Sequence, residues 1–354
     1  MFPNSFFMVT MSDASFRSYI GIFFVGLTLI GGVGLYITPM MSEIPRVGRA
    51  LIKAYGKGTP DILLFGDSVM RATRIKRCDT GSSTIDTLLA KELPNLNWVA
   101  SPYSASSMVV FNDLLPIAMN RPNPPEWIIV PVNMRSFSEE WGTRPAYRLD
   151  LDRALIRIKF GKVRLHDYFL VWKYQFTKAL DMEMEAWRNQ TVAYPDFNLG
   201  PRRKLHDKSM DLPKNLDCLP HLKEQYRDVL RTKFIYHYLY RLDPENPLLQ
   251  SLREIIHSVQ QSNKNILIYV TPINMQDGER FVGHKFREIV QGNVGVIQTL
   301  VENMGVPLLN MVDKLPPEHF IDQYAVCEHL DETGRRFVAA QLAKVLRSEP
   351  FKKP

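Results

Sequence analysis

Five short apolar runs, at 61–65, 97–100, 127–131, 265–271 and 306–310, set the strongest constraint on how this 354-residue chain can fold. Each is bounded by turn-forming or polar residues and is too short for a buried helix, so each reads as a buried strand. Segments of helical periodicity lie between or after them, at 83–93, 106–119, 247–261, 284–304 and 333–346. Strands alternating with helices predict an α/β domain, a parallel sheet covered on both faces. In such a sheet the functional residues gather at the carboxyl ends of the strands. The interval 135–245 breaks the alternation and is rich in aromatic and charged residues, Trp141, Trp172 and Trp187 among them. It reads as a largely helical insertion that forms either a substrate-facing surface or an ordinary packing subdomain.

Two places carry chemical content. The first strand runs into Gly66-Asp67-Ser68, where a glycine permits a sharp turn and the serine hydroxyl emerges at the carboxyl edge of the sheet. A serine hydroxyl is a weak nucleophile at its free pKa and needs a base within hydrogen-bond reach. Near the other end, Cys327-Glu328-His329-Leu330-Asp331-Glu332-Thr333-Gly334 leads into the last amphipathic segment. This places His329 at the start of the final helix, with Asp331 or Thr333 as its cap. Of eight histidines, only this one has a fixed relation to the final strand and final helix.

Together these elements resemble the SGNH/GDSL hydrolases, whose serine lies in a Gly-Asp-Ser turn after the first strand and whose histidine precedes the last helix. The resemblance covers about 61–348 and leaves the insertion unaccounted for. It implies a three-layer, flavodoxin-like fold, with Ser68 as nucleophile, His329 as general base and no metal or organic cofactor. The family's oxyanion-donating asparagine falls on Asn133, in Val130-Pro131-Val132-Asn133, where the usual glycine and aspartate are missing. Its second oxyanion donor, a glycine amide, has no glycine to match. The place is taken by Ser101-Pro102-Tyr103-Ser104-Ala105, and the amide of Ser104 or Ala105 is the candidate. The orienting acid usually stands three residues before the histidine, a position held here by Val326. Asp322 and Glu328 flank that place, with Asp322 the better placed in an extended loop. Asp67 is read as a turn-stabilising residue.

From Ser18 to Ser42 the chain has no charged side chain, and Tyr19 to Ile37 is almost wholly apolar. About 20 such residues cross a bilayer as a helix. The expected organisation is a flank 1–17, a transmembrane helix 18–40, a linker 41–60 and the hydrolase-like domain. Arg17 precedes the span, while Arg46, Arg49, Lys53 and Lys57 follow it, which by charge alone puts the domain in the cytoplasm. Membrane-anchored members of the family imply the opposite side, the periplasm. They act on O-acetylated cell-surface polysaccharide, often beside a multi-spanning acyl-donor membrane protein. An esterase or lysophospholipase of lipid esters is the second enzymatic reading, and an inactive binding module of a membrane assembly the third. The net charge of +7 is dispersed in mixed-sign stretches without a nucleic-acid-binding motif, so no nucleic-acid partner is expected. Cys78, Cys218 and Cys327 lack metal-site spacing, and three buried thiols are expected, with one disulfide and one free thiol as the alternative.

Overall fold

The computed structural model describes residues 46–55, 60–73, 78–79, 81–160, 163–191, 216 and 220–348. Five strands, β1 (Ile62–Gly66), β2 (Trp98–Pro102), β3 (Trp127–Val132), β4 (Asn265–Val270) and β5 (Leu308–Asn310), form one sheet in the order β2-β1-β3-β4-β5. Every neighbouring pair is parallel, with Ile62 opposite both Trp98 and Trp127, Trp127 opposite Asn265, and Ile268 opposite Leu308. The five apolar runs are therefore the five strands, displaced by one or two residues at their ends.

The two-residue period of a strand divides each run between two cores. Leu63, Phe65, Ile128, Val130, Ile266 and Ile268 face the helices Met108–Met119, Pro247–Gln261 and Lys285–Asn303. Ile62, Leu64, Ile129 and Leu267 face the helices Ile85–Glu92 and Glu332–Leu346. Burial on both faces explains why β1, β3 and β4 read as continuous apolar runs rather than alternating ones, whereas the edge strands β2 and β5 are only partly buried. Each fully buried Leu or Ile contributes roughly 1.5–3 kcal/mol to holding the layers together.

The connection from β3 to β4 carries the insertion. Among the described residues it is helical, with the helices Asp150–Phe160, Leu165–Phe176, Ala179–Asn189 and Arg227–Tyr238 as its main elements. The stretch expected to be a linker contains the helix Arg49–Tyr55, and Val47 just before it and Leu51 within it are fully buried in the first core. These two side chains make residues 46–55 part of the domain. The expected membrane span and its flank lie outside the described residues, among which no helix is long and apolar enough to cross a membrane. Cys78 is disulfide-bonded and Cys327 is a buried free thiol, so the expectation of three thiols is corrected in favour of the alternative.

Candidate active site

The sheet order reverses between β1 and β3, and the crevice opened there at the carboxyl ends of the strands is where an α/β sheet holds its ligands. β1 ends at Gly66, where an added Cβ would lie 2.3 Å from the Met70 Cε and 3.1 Å from the Met70 Cβ, so a larger residue would push the Met70 side chain aside. Asp67 follows in extended conformation and caps the short helix Ser68–Arg71, its Oδ1 accepting the Val69 N–H at 2.8 Å. Ser68 is thereby the first residue of the helix, half-buried and facing the crevice.

His329 reaches the same point from the far end of the chain. After β5, Phe320 and Leu330 form an antiparallel bridge, the Ile321 N–H donates to the His329 carbonyl at 2.9 Å, and the Asp331 N–H donates to the His319 carbonyl at 2.9 Å. The chain between them folds back through left-handed conformations at Asp322 (φ 55°) and Val326 (φ 48°). For a β-branched valine that conformation is strained, and such strain concentrates at functional sites. The result sets Asp322 beside a histidine seven residues later.

The geometry is a linear relay. Asp322 Oδ2 lies 2.7 Å from His329 Nδ1, and His329 Nε2 lies 3.0 Å from Ser68 Oγ. A carboxylate at Nδ1 fixes the hydrogen on that nitrogen and leaves the Nε2 lone pair for the serine hydroxyl. Burial disfavours a charged His329, but the Cys327 sulfur and the hydrogen bond to Asp322 outweigh it and raise its pKa. Burial likewise pushes the Cys327 thiol up, and the neighbouring His329 more than reverses this. The Cys327 sulfur, an Asp322 oxygen and a His329 nitrogen lie within 4.8 Å of one another. Cys327 also points toward the carbonyls of Ile321 and Asp322, at 3.9 and 3.5 Å.

Glu328, the alternative acid, does not contact His329. It is fully buried, accepts from the Tyr238 hydroxyl at 2.6 Å and pairs with Arg135 at 3.1 Å, while the Arg135 guanidinium stacks 4.1 Å above the Trp141 ring. Asn133 belongs to this network as well. Its Nδ2 donates to Asp67 Oδ2 at 2.8 Å and makes a long 3.4 Å contact with Glu328, while its Oδ1 accepts the Arg135 N–H at 3.0 Å. The side chain is 5% exposed and does not line the cleft. The expectation that Asn133 aims at an oxyanion is corrected accordingly, because two carboxylates compete for its amide hydrogens. Burial raises the Asp67 pKa, the Val69 amide and Asn133 counteracting this. Asp67 thus couples β1 to β3 as well as stabilising the turn.

Ser104 does line the cleft, next to Ala105 in left-handed conformation (φ 63°). The N–H groups of these two residues take part in none of the backbone bonds formed among the described residues. The cleft measures about 390 Å³ and is walled by the insertion, through Trp141, Arg144, Tyr147, Lys233 and His237. The sequence flagged the insertion by its aromatic content but gave no sign of which side chains would face the serine. Arg144 stacks on the rings of Tyr147 and Trp187, 4.2 and 5.4 Å from their centroids, and donates to the Tyr147 hydroxyl at 2.8 Å.

No protein-family model matches the sequence, and no curated protein is similar to it. Several solved structures resemble it in fold at low identity. A catalytic mutant of an acetylxylan esterase from Geobacillus stearothermophilus is 12% identical, aligned over 84% of this chain and 99% of that one, with a TM-score of 0.38. The M. smegmatis aryl esterase in inhibitor-bound form is 12% identical over 81% of this chain and 97% of its own, with a TM-score of 0.35. A carbohydrate acetylesterase family member from Sinorhizobium meliloti is 11% identical over 81% and 96%, with a TM-score of 0.34.

Proposed function

We propose that the chain is a serine-dependent acyl-ester hydrolase of the SGNH/GDSL type. The observation that carries the reading is the contact of Ser68 Oγ with His329 Nε2 at 3.0 Å, backed by Asp322 at 2.7 Å on the other ring nitrogen. His329 takes the Ser68 proton as Oγ attacks the ester carbonyl carbon. The carbonyl electrons move onto oxygen, and the N–H groups of Ser104 and Ala105 are the donors disposed to meet that charge. Collapse breaks the bond to the alcohol, which leaves with the proton from His329. Water, deprotonated by the same nitrogen, then releases the acid from Ser68 and returns the enzyme to its starting state.

The finer reading is an acyl ester carried on a carbohydrate, with O-acetylated surface polysaccharide as the natural substrate. Aromatic and cationic side chains lining an open cleft suit sugar rings better than an acyl chain, which favours a carbohydrate ester over a lysophospholipid. A sugar hydroxyl in place of water would make the same site an acyltransferase, working beside a membrane-bound acyl donor. The disulfide at Cys78 fits an oxidising compartment and supports placement outside the cytoplasm.

Turnover of p-nitrophenyl acetate and of acetylated xylo-oligosaccharide by wild type, Ser68→Ala and His329→Ala tests the reading. Both variants are expected to lose activity by at least about a thousandfold while remaining folded. Equal turnover by Ser68→Ala and wild type would rule out serine catalysis here. Adding a sugar acceptor and following transesterified product separates transfer from hydrolysis.

A further inference from the structure

The helix Leu165–Phe176 turns an apolar stripe to solvent. Leu165, Phe169, Trp172 and Phe176 are 89%, 51%, 43% and 52% exposed, at the spacing that keeps side chains on one face of a helix. Met182, on the following helix Ala179–Asn189, is 71% exposed as well. The opposite side of the first helix is already committed, since Asp167 and Val171 are fully buried and Asp167 accepts from Arg157 Nε at 3.0 Å. Folding therefore does not use the stripe, although its pattern is that of a core-facing surface. An exposed apolar patch this continuous marks an interaction surface.

Two further observations say what covers it. The first is where the chain enters the domain. The apolar run of the sequence ends at Ile37, nine residues before Arg46, a gap that spans at most about 30 Å when extended. The backbone amides of Arg46 and Val47 are hydrogen-bonded to Asp152, on the helix Asp150–Phe160. That helix holds the stripe-bearing helix through the Arg157–Asp167 pair. The chain thus arrives from its most apolar segment at the part of the fold that displays the stripe. The second observation is the character of the face. Tyr168 and Trp172 are residues of membrane interfaces, and the exposed cations Arg164 and Lys178 bracket the helix.

We propose that the stripe of the helix Leu165–Phe176 lies in the interface of a lipid bilayer containing anionic headgroups, to which the N-terminal apolar run tethers the chain. Phe169, Trp172 and Phe176 enter the acyl boundary, and Arg164 and Lys178 meet the headgroups. The domain is then held in one orientation over the membrane, rather than swinging freely on its tether.

The test uses the full-length chain reconstituted in vesicles of phosphatidylcholine with a minority of phosphatidylglycerol, their acyl chains brominated to quench nearby tryptophan. The expected result is partial quenching of the emission, lost in Trp172→Phe. The same loss is expected in a Phe169→Asp/Phe176→Asp variant whose circular dichroism matches wild type. Both substituted phenylalanines are exposed, so the fold tolerates the change, and Trp172→Phe alone suffices should it not. Quenching that persists in Trp172→Phe would overturn the proposal. So would a Trp172 shielded from bromine and cross-linked instead to a second copy or another protein through this face.

Discussion

The Asp322 carboxylate determines which nitrogen of His329 carries its hydrogen, and so whether Ser68 faces a base or a donor. Asp322→Asn keeps the size of the side chain, removes the charge and permits the wrong tautomer, so kcat is expected to fall by about ten-thousandfold. The pH dependence should move as well. His329 has a raised pKa, so activity in wild type climbs with pH through a value above the ordinary 6.5, as the base loses its proton. Removing the carboxylate lowers that pKa and shifts the acid limb of the profile to lower pH. For folding the sign is the reverse. The raised pKa adds stability that is fully present below pH 6.5 and fades as pH rises through the folded value. Asn133 separates two roles. As the tie between Asp67 and β3, its replacement by Ala should cost about 1–3 kcal/mol of stability and leave Ser68 reactive. Asn133→Asp instead sets a third carboxylate against Asp67 and Glu328, and a loss of about 3 kcal/mol or more is expected in a denaturant titration. Ser68 and His329 were legible in the sequence because each sits in a local motif at an element boundary. Asp322 was legible only as one of two choices, since its reach depends on left-handed turns at Asp322 and Val326 that no residue type there announces.

At the scale of elements, the insertion helix Arg227–Tyr238 clamps the loop that presents the acid and the base. Lys233 Nζ donates to the Tyr324 carbonyl at 2.7 Å, His237 Nδ1 meets the Val326 carbonyl at 3.0 Å, and Tyr238 holds Glu328. Burial and the nearby Arg135 charge keep His237 well below its ordinary pKa, so it is neutral and donates from Nδ1. His237→Phe removes that donor from a strained turn, and a drop of about tenfold in kcat, equivalent to ~1.4 kcal/mol, is expected with little change in KM for a small ester. The final helix is tied down from within. Arg335 is fully buried, and its Nη1 and Nη2 meet Asp79 at 2.9 and 3.1 Å, fixing the helix that follows His329 to the segment that follows the Ser68 helix. Arg335→Ala takes the guanidinium from the buried Asp79, which keeps the Glu332 N–H at 2.9 Å and a long contact to the Gly81 N–H, and should destabilise the protein by about 3–5 kcal/mol, measured as a lower urea midpoint. Neither clamp was visible in the sequence, because both join residues far apart in the chain through side chains that look like ordinary surface charge.

Across the whole molecule, the five strands and the parallel sheet could be read from the chain, since burial on both faces writes an unbroken apolar run into β1, β3 and β4, and the shorter runs of the edge strands β2 and β5 alternate with helices in the same way. The order β2-β1-β3-β4-β5 could not, yet it is this order that opens the crevice between β1 and β3 and brings Asp67 against Asn133. The cleft walls were hidden for a different reason: helical periodicity in the insertion indicates helices without saying which faces turn inward. The molecule is a sheet that carries the nucleophile, a late loop that carries base and acid, and an insertion that shapes what reaches them. In this arrangement Ser68 is activated by His329. Treating the full-length protein with a fluorophosphonate probe and mapping the adduct by mass spectrometry tests this most directly. A single label on Ser68 is expected, abolished in Ser68→Ala and reduced by at least about a hundredfold in rate in His329→Ala. A folded wild-type protein that takes no label, or one labelled at another serine, would contradict it.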